Sequence, residues 1–475
     1  MRTIEFFVII INFLILIRVL LFRRGLTRNN IILLGVSSVV TSLQLFLEGY
    51  RWQMIPAYSV LMVLLLQIFI YPRKHVASTS LVTRIFKGCF IGLYLAAAVT
   101  LPLLMPIFSF NKPTGAYEVG TTTFHFIDNK RLEEYTEDPK DKRELMVQLW
   151  YPARTGSDES IAPYIANPKE LASGLALTLP FPAFTFEHLG QVKTHSHQEA
   201  MLFEKKTSWP LLIFSHGMDQ FRNQNTFQME ELASNGYIVA AIDHTYDAAA
   251  TVFPDGRTAL NRSQLDDGLP VLDEHISLWT QDVKFVLDKL EQLNRNDVNN
   301  RFYGAIDMKR IGMFGHSYGG ATAMQILLED DRVKAGINMD GGLYGKSAPK
   351  KGLAKPFMMM DTQDTEDYYI EANKKQSDLP TGSHEDIWNE LVRRRQLAMA
   401  GGGYSLTIPN TDHMSYTDLK LISPLLKLKD EDPRYVHHII NDVSLSFFDK
   451  YVKGDNSINM EDISERYPEI GFVKH

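Results

Sequence analysis

The first 108 residues contain four long apolar runs, and these constrain the fold of the chain more than any other feature. The runs lie at about Ile4–Phe22, Ile31–Leu47, Met54–Tyr71 and Gly88–Phe108. Each approaches the roughly 20 residues with which a helix crosses the hydrocarbon core of a bilayer. A signal peptide would show a single run followed by a cleavage site. The sequence therefore predicts a membrane segment of about four transmembrane helices over residues 1–108, with the second run, which is diluted by polar residues between Ser37 and Gln44, as its weakest span.

Basic residues near the ends of these runs indicate the orientation of the segment. Three follow the first run and four follow the third: Arg23, Arg24, Arg28, Arg73, Lys74, Arg84 and Lys87. Such residues stay on the cytoplasmic side of a membrane. We therefore expect a multi-pass integral membrane protein, most simply of the plasma membrane, with both termini and the large domain outside the cytoplasm. A plain anchor is favoured over a transport or lipid-channelling role, because no buried acid or histidine is expected within the runs.

Charge divides the chain at the same place. Residues 1–108 carry ten basic and two acidic side chains, or +8, so the remaining 367 residues carry −15 of the formal net charge of −7. An acidic soluble part argues against nucleic-acid binding. The single cysteine, Cys89, excludes an internal disulfide framework and a thiolate metal cluster.

Short apolar runs alternate with helical patterns from residue 144 onward. The predicted strands are Glu144–Tyr151, Pro210–Ser215, Tyr237–Ile242, Arg310–Phe314, Ala335–Met339, Phe357–Met360 and Tyr404–Ile408. The predicted helices are Ser277–Leu293, Gly319–Leu328, Glu385–Met399 and Tyr435–Tyr451. This rhythm is typical of an α/β fold with a mostly parallel sheet and helices on both faces. We expect one catalytic domain over residues 109–475, with a cap insertion at about 155–208.

Ser317 lies between a predicted strand and a predicted helix, in the sequence Gly315-His316-Ser317-Tyr318-Gly319. A strand that turns sharply into a helix exposes the central side chain of such a motif, and glycines flank it because larger residues would clash. This is the arrangement of a nucleophilic serine, which needs a general base. The base and its acid follow the serine along the chain in this type of fold.

His413 is the expected base, because it follows the strand Tyr404–Ile408, whereas His384 opens a predicted helix and His437 and His438 lie inside another. Asp340, Asp361 and Asp364 are the candidates for the acid. Asp340 ends one strand, and the other two follow the next strand. Their positions alone leave this choice open.

Two backbone N–H groups near the serine would form an oxyanion hole. One belongs to Tyr318, directly after the nucleophile, and the other is expected from Met218 in the loop Phe214-Ser215-His216-Gly217-Met218. We interpret His216 as a turn residue that hydrogen-bonds its own loop. His195 and His197 make a poor metal site and are expected in an exposed loop, so no metal and no cofactor are predicted.

The chain resembles the platelet-activating factor acetylhydrolase family, the plasma and intracellular type II group of α/β hydrolases. The matching stretches are Val147–Ala153, Phe214–Phe221, Leu232–His244, Gln281–Leu290, Gly315–Thr322, Ala335–Asp340 and Asp412–Asp418. The resemblance implies an α/β-hydrolase fold and a triad of Ser317, Asp340 and His413, with Asp364 as the alternative acid. It further implies a metal-independent esterase or phospholipase A2-type activity. We expect a bacterial-type, membrane-anchored member, whose multi-span N-terminal segment departs from the better known members of the family.

The expected function is hydrolysis of short-chain or lipid esters through an acyl-enzyme at the membrane surface. Platelet-activating-factor-like lipids and phospholipids are the expected lipid substrates. The apolar stretch Ser173–Phe186 fits either a substrate wall or a core-packing insertion. Acyl transfer and peptide cleavage remain open because both also proceed through an acyl-enzyme. A catalytically inactive membrane scaffold is the alternative from another class.

Overall fold

The computed structural model describes residues 1–20, 28–70, 80–154, 156, 159–204, 208–263, 265, 268–298, 301–374, 384–427 and 431–475. The chain divides into two units. The helical unit comprises Met1–Phe108 with Ile422–Leu426, and the catalytic unit comprises Ser109–Leu421 with Lys427–His475.

In the helical unit, each predicted apolar run overlaps one long helix. These helices are α1 (Thr3–Leu20), α2 (Arg28–Leu47), α3 (Ile55–Ile70) and α4 (Leu81–Leu104). Apolar side chains from all four form one core that includes Phe13, Leu34, Leu64 and Ile91. Within the described residues, α2 and α4 are long and apolar enough to cross a membrane. Two such helices are weak evidence of membrane association, because core helices and signal sequences also meet these criteria.

The helical unit buries an acid, and the expectation that it contains none is wrong. Glu5 is fully buried, and its carboxylate accepts two hydrogen bonds of 2.6 Å from the guanidinium of Arg51. The pair is separated by 46 residues, and its mutual neutralisation permits burial of both charges. Deeper in the bundle, Asn12 donates to the carbonyl of Ala57 at 3.0 Å. The first contact joins α1 to the segment between α2 and α3, and the second joins α1 to α3.

The catalytic unit is built on a mixed, mostly parallel sheet. Its strands are β1 (Glu118–Leu132), β2 (Lys142–Arg154), β3 (Ile161–Pro163), β4 (Lys193–Gln198), β5 (Met201–Leu202), β6 (Trp209–Ser215), β7 (Ile238–Asp243), β8 (Ala250–Val252), β9 (Thr258–Leu260), β10 (Ile306–His316), β11 (Val333–Met339), β12 (Phe357–Thr362), β13 (Tyr404–Ile408) and β14 (Gly471–Lys474). The order across the sheet is β14-β13-β12-β11-β10-β6-β7-β2-β1-β4-β3, with β5 beside β2 and a separate β8–β9 hairpin. The six strands from β13 to β7 are parallel.

Helices cover both faces of this sheet. They are α5 (Pro168–Thr178), α6 (Thr226–Ser234), α7 (Leu269–Arg295), α8 (Tyr318–Glu329), α9 (Gln363–Lys374), α10 (His384–Met399), α11 (Pro433–Phe448) and α12 (Asp462–Arg466). Met313 on β10 joins a buried cluster with Val286 of α7. The next residue, Phe314, packs its ring on Phe448 of α11, 5.8 Å away. Because successive strand residues point to opposite faces, α7 and α11 lie on opposite sides.

The sequence analysis did not predict the antiparallel strand pairs towards the two edges of the sheet. The long strand β1 pairs antiparallel with β2, and β14 pairs antiparallel with β13. The region expected to be a cap, residues 155–208, contributes β4, which pairs with β1 and so extends the main sheet. It also contributes α5, where Gly174 packs against the backbone of Ala249.

Candidate active site

Strand β10 turns into α8 at Ser317. The backbone of Ser317 has φ 56° and ψ −122°, a conformation that residues with side chains rarely adopt. A Cβ placed on Gly315 would lie 2.2 Å from the carbonyl of Gly319, and one placed on Gly319 would lie 2.1 Å from the carbonyl oxygen of Ser215. The crowded backbone thus explains both glycines and presents Ser317 at the turn.

Asp340 and His413 meet beside this turn. Asp340 directly follows β11, and its side chain is fully buried. The Nδ1–H of His413 donates to its carboxylate at 2.6 Å. The N–H of Ser317 donates to the carbonyl of Met339, the residue before Asp340, at 2.9 Å. This bond connects the turn at Ser317 to the end of β11. The His413 side chain is 47% exposed and has Nε2 free of the Asp340 bond, so that nitrogen can accept a proton.

The surroundings of Asp340 keep its carboxyl ionised. Burial raises its pKa, whereas the hydrogen bond and charge of His413 and the N–H of Thr362 lower it by more. The net pKa lies below the ordinary value for aspartate. The second oxygen of the carboxylate accepts from the N–H of Thr362 at 2.8 Å and from its hydroxyl at 3.0 Å. These bonds fix the orientation in which Asp340 meets His413.

The other candidate acids lie elsewhere. Asp364 is exposed in the first turn of α9. Asp361 is buried at the end of β12 and forms an ion pair with Arg395 at 2.6 Å. Burial raises its pKa to about 6, against the lowering effect of Arg395. Among the described contacts, only Asp340 is hydrogen-bonded to the imidazole of His413.

The loop after β6 lies next to Ser317. A Cβ placed on Gly217 would lie 3.2 Å from the Cβ of Ser317. His216 donates from Nδ1 to the carbonyl of Gly217 at 2.6 Å, as expected of a turn residue. Burial lowers its pKa to about 3, so the ring is neutral. In the described part of the chain, the N–H groups of Met218 and Tyr318 donate to no protein acceptor, which leaves them available to an oxyanion.

An apolar and aromatic cluster adjoins these two residues. Its buried members are Ile276, Leu278, Trp279, Tyr318 and Ala321, and Tyr135, Met218, Leu272 and Tyr344 pack against them. Ser317 itself is half-buried, and within the described residues its hydroxyl makes no protein hydrogen bond. Hydrogen bonds to a nucleophile often tighten only when substrate is bound. The site therefore offers an accessible hydroxyl beside an apolar surface.

The remaining histidines have local partners. His437 is buried, stacks on Phe227 at 3.7 Å and donates to the carbonyl of Thr417. His438 is exposed on α11, and the side chain of His384 lies outside the described residues. His195 and His197 lie on β4, not in an exposed loop, and His195 contacts Glu230 at 3.1 Å. No group of three or more metal-ligating side chains occurs in the described ranges.

Sequence reasoning missed three residues that support the site. Thr362 holds the Asp340 carboxylate, and the buried side chains of Gln224 and His316 join each other at 2.9 Å. His316 is the variable residue before Ser317 in the motif, so the motif itself attaches no role to it. Gln224 stands in no motif at all, and only its long-range contacts reveal it.

The sheet, the sharp turn at Ser317 and the Asp340–His413 pair define an α/β hydrolase. The family model described as platelet-activating factor acetylhydrolase, isoform II, matches residues 106–466, and the chain belongs to this family. It is accordingly a carboxylic ester hydrolase.

Relatives and a solved structure agree with this assignment. The platelet-activating factor acetylhydrolase of Cavia porcellus is 28% identical over 374 residues, which cover 73% of this chain and 79% of the relative. The probable 1-alkyl-2-acetylglycerophosphocholine esterase of Arthroderma benhamiae is 26% identical over 282 residues, 56% of this chain and 66% of the relative. The ferulic acid esterase structure from Streptomyces cinnamoneus has a TM-score of 0.60 and 27% identity, and covers 78% of this chain and 100% of its own.

Proposed function

We propose that Ser317 attacks the ester carbonyl while His413 Nε2 accepts the hydroxyl proton. Asp340 orients His413 and stabilises the imidazolium that forms. The N–H groups of Met218 and Tyr318 bind the oxyanion of the tetrahedral intermediate. The alcohol leaves with the proton from His413, and a water activated by the same ring then releases the acid. The Asp340–His413 hydrogen bond of 2.6 Å beside the Ser317 turn is the observation that carries this proposal.

The substrates in this proposal are short-chain or lipid esters of the platelet-activating factor and phospholipid type. The apolar cluster around Tyr318 and Met218 offers a surface on which an acyl or alkyl group can pack next to Ser317. Apolar side chains are also exposed within the stretch 173–186, where Leu177, Phe181 and Phe184 are 60%, 56% and 48% exposed. Three large apolar side chains so close together form a surface that can enter a lipid aggregate.

A variant of that surface tests the substrate class. We expect Leu177→Ser, Phe181→Ser and Phe184→Ser together to slow hydrolysis of a vesicle-borne 2-acetyl phospholipid by at least about tenfold, because each lost apolar contact costs about 1.5–3 kcal/mol of insertion. Hydrolysis of soluble p-nitrophenyl acetate should stay within about twofold, because surface substitutions change little elsewhere. Rates on p-nitrophenyl esters from acetate to palmitate give the preferred acyl length.

The matched control replaces two exposed apolar residues of β1, Ile127 and Leu132, with serine. It should leave both rates unchanged. Equal losses on vesicles and on soluble ester would contradict a lipid-entering role for residues 173–186.

We further propose that the chain is a bacterial-type, multi-pass membrane protein. Its membrane segment spans residues 1–108, and its catalytic domain, residues 109–475, lies outside the cytoplasm. Cys89 is the only cysteine, so Cys89→Ser gives a background for single-cysteine labelling. A membrane-impermeant maleimide should label Ser457→Cys in intact cells. It should label Ser80→Cys, at the start of α4, only after permeabilisation. The reverse pattern would contradict the orientation.

Acyl transfer and peptide cleavage are alternatives on the same residues, since both need the same acyl-enzyme. Product analysis with and without an added alcohol separates transfer from hydrolysis. Membership of an esterase family argues against the remaining alternative, an inactive scaffold. It would be favoured if the full-length protein in detergent hydrolysed no ester in the chain-length series.

A further inference from the structure

Gln224 lies between two loops of the candidate site. Its side chain is fully buried. The amide oxygen accepts from the N–H of Gly217 at 2.8 Å, and the amide nitrogen lies 2.9 Å from Nδ1 of His316. The opposite amide orientation would place two donors against each other at Gly217, so the observed orientation is fixed.

His316 passes this contact on to the loop that carries His413. Because Nδ1 accepts from Gln224, the proton of the neutral ring resides on Nε2. The Nε2–H donates to the carbonyl of His413 at 2.8 Å. Burial lowers the pKa of His316 to about 3, so the ring is uncharged at neutral pH. One chain of hydrogen bonds thus runs from Gly217 through Gln224 and His316 to His413.

The backbone around Gln224 holds the same loop. The carbonyl of Gln224 accepts from the N–H of Asp418 at 2.8 Å. The Asn225 amide donates to the carbonyl of Tyr416 at 2.8 Å, and the Asp418 carboxylate accepts from the N–H of Thr226 at 2.7 Å. The loop of residues 413–418 is therefore fixed to the start of α6.

We propose that Gln224 is a positioning residue. It holds the Met218 loop (residues 214–218) and the His413 loop (residues 413–418) in the relative position that acylation of Ser317 needs. The inference rests on the proposed roles of Ser317, His413 and Met218. A displaced Gly217 would move the adjacent N–H away from the oxyanion, and a released His316 would weaken one of the bonds that hold the His413 loop beside Ser317. Both changes should raise the free energy of the transition state more than that of the bound substrate. The misplaced groups stabilise charge that develops only in the transition state.

Gln224→Leu tests this inference in the full-length protein. We expect kcat on p-nitrophenyl acetate to fall about 10- to 100-fold, a part of the loss seen when an oxyanion donor is removed outright, with KM within about twofold. The matched control is Asn294→Leu, near the end of α7, whose amide likewise accepts from one backbone N–H and donates to one backbone carbonyl, both of Ile306 at the start of β10. Its thermal midpoint should fall as much as that of Gln224→Leu, with kcat unchanged.

Gln224→Glu adds a readout that a purely structural role would not move. A carboxylate still accepts from Gly217 but can pair with Nδ1 of His316 only after one proton is taken up. Because burial raises the pKa of a glutamate to as much as about 8–9, the activity of this variant relative to wild type should decline as the pH rises from about 6 to about 9. A pH-independent ratio, or an equal loss of kcat in Asn294→Leu, would overturn the inference.

The same measurements separate this inference from the proposed function. Failure of wild-type protein to hydrolyse the ester would overturn the proposed function and, with it, the role of Gln224. Active wild-type protein with unchanged kcat in folded Gln224→Leu would overturn the positioning role alone.

Discussion

Replacing Ser317 with alanine is expected to lower kcat on p-nitrophenyl acetate by about 10⁴- to 10⁶-fold. Loss of the nucleophile leaves only substrate binding and the oxyanion donors, which supply a small residual rate. The backbone at Ser317 should tolerate the change because alanine removes only the hydroxyl. A thermal midpoint close to that of wild type would show that the fold is retained.

Ser277→Ala is the matched control for that substitution. Ser277 is exposed on α7, so the rate should stay within about twofold of wild type. If folded Ser317→Ala protein retained more than about a tenth of the wild-type rate, the nucleophile would lie elsewhere.

Asp340→Asn is expected to lower kcat by about 10⁴-fold, because the asparagine amide can present its N–H₂ group to Nδ1 of His413. The ring would then carry its proton on Nε2, where it cannot accept one from Ser317. In the proposed mechanism Asp340 contacts His413 and not the substrate, so KM should change little. The rate of the variant should stay below that of wild type at every pH in the neutral range.

Asp364→Asn is the comparison that decides the acid. The carboxylate of Asp364 is exposed at the start of α9, so its loss should change kcat by less than about twofold. A greater loss at Asp364 than at Asp340 would transfer the acid's role to α9.

Local patterns were sufficient to predict the turn at Ser317. The glycines at 315 and 319 are required by backbone contacts within a few residues and with β6, so the motif carries its own steric explanation. The strands Tyr404–Ile408 and Phe357–Met360 were likewise readable, because buried parallel strands form continuous apolar runs. The position of His413 followed from the end of the former strand.

Interactions between distant residues could not be predicted in this way. The choice of Asp340 over Asp364 depends on the hydrogen bond between Asp340 and His413, which lie 73 positions apart along the chain. The Glu5–Arg51 pair joins residues 46 positions apart, and neither residue alone signals a partner. Strand β1 escaped notice because its exposed, polar half lacks a regular apolar alternation.

Identification of the acylated residue tests the central claim most directly. After reaction of the full-length protein with a fluorophosphonate, trypsin should release a modified peptide spanning residues 311–332, in which Ser317 is the only serine. Prior incubation with a slowly hydrolysed p-nitrophenyl ester should reduce this labelling, because the acyl group occupies the same oxygen. We expect the adduct on Ser317 and none in Ser317→Ala protein. An adduct on another serine, with residues 311–332 unmodified in active enzyme, would contradict the account.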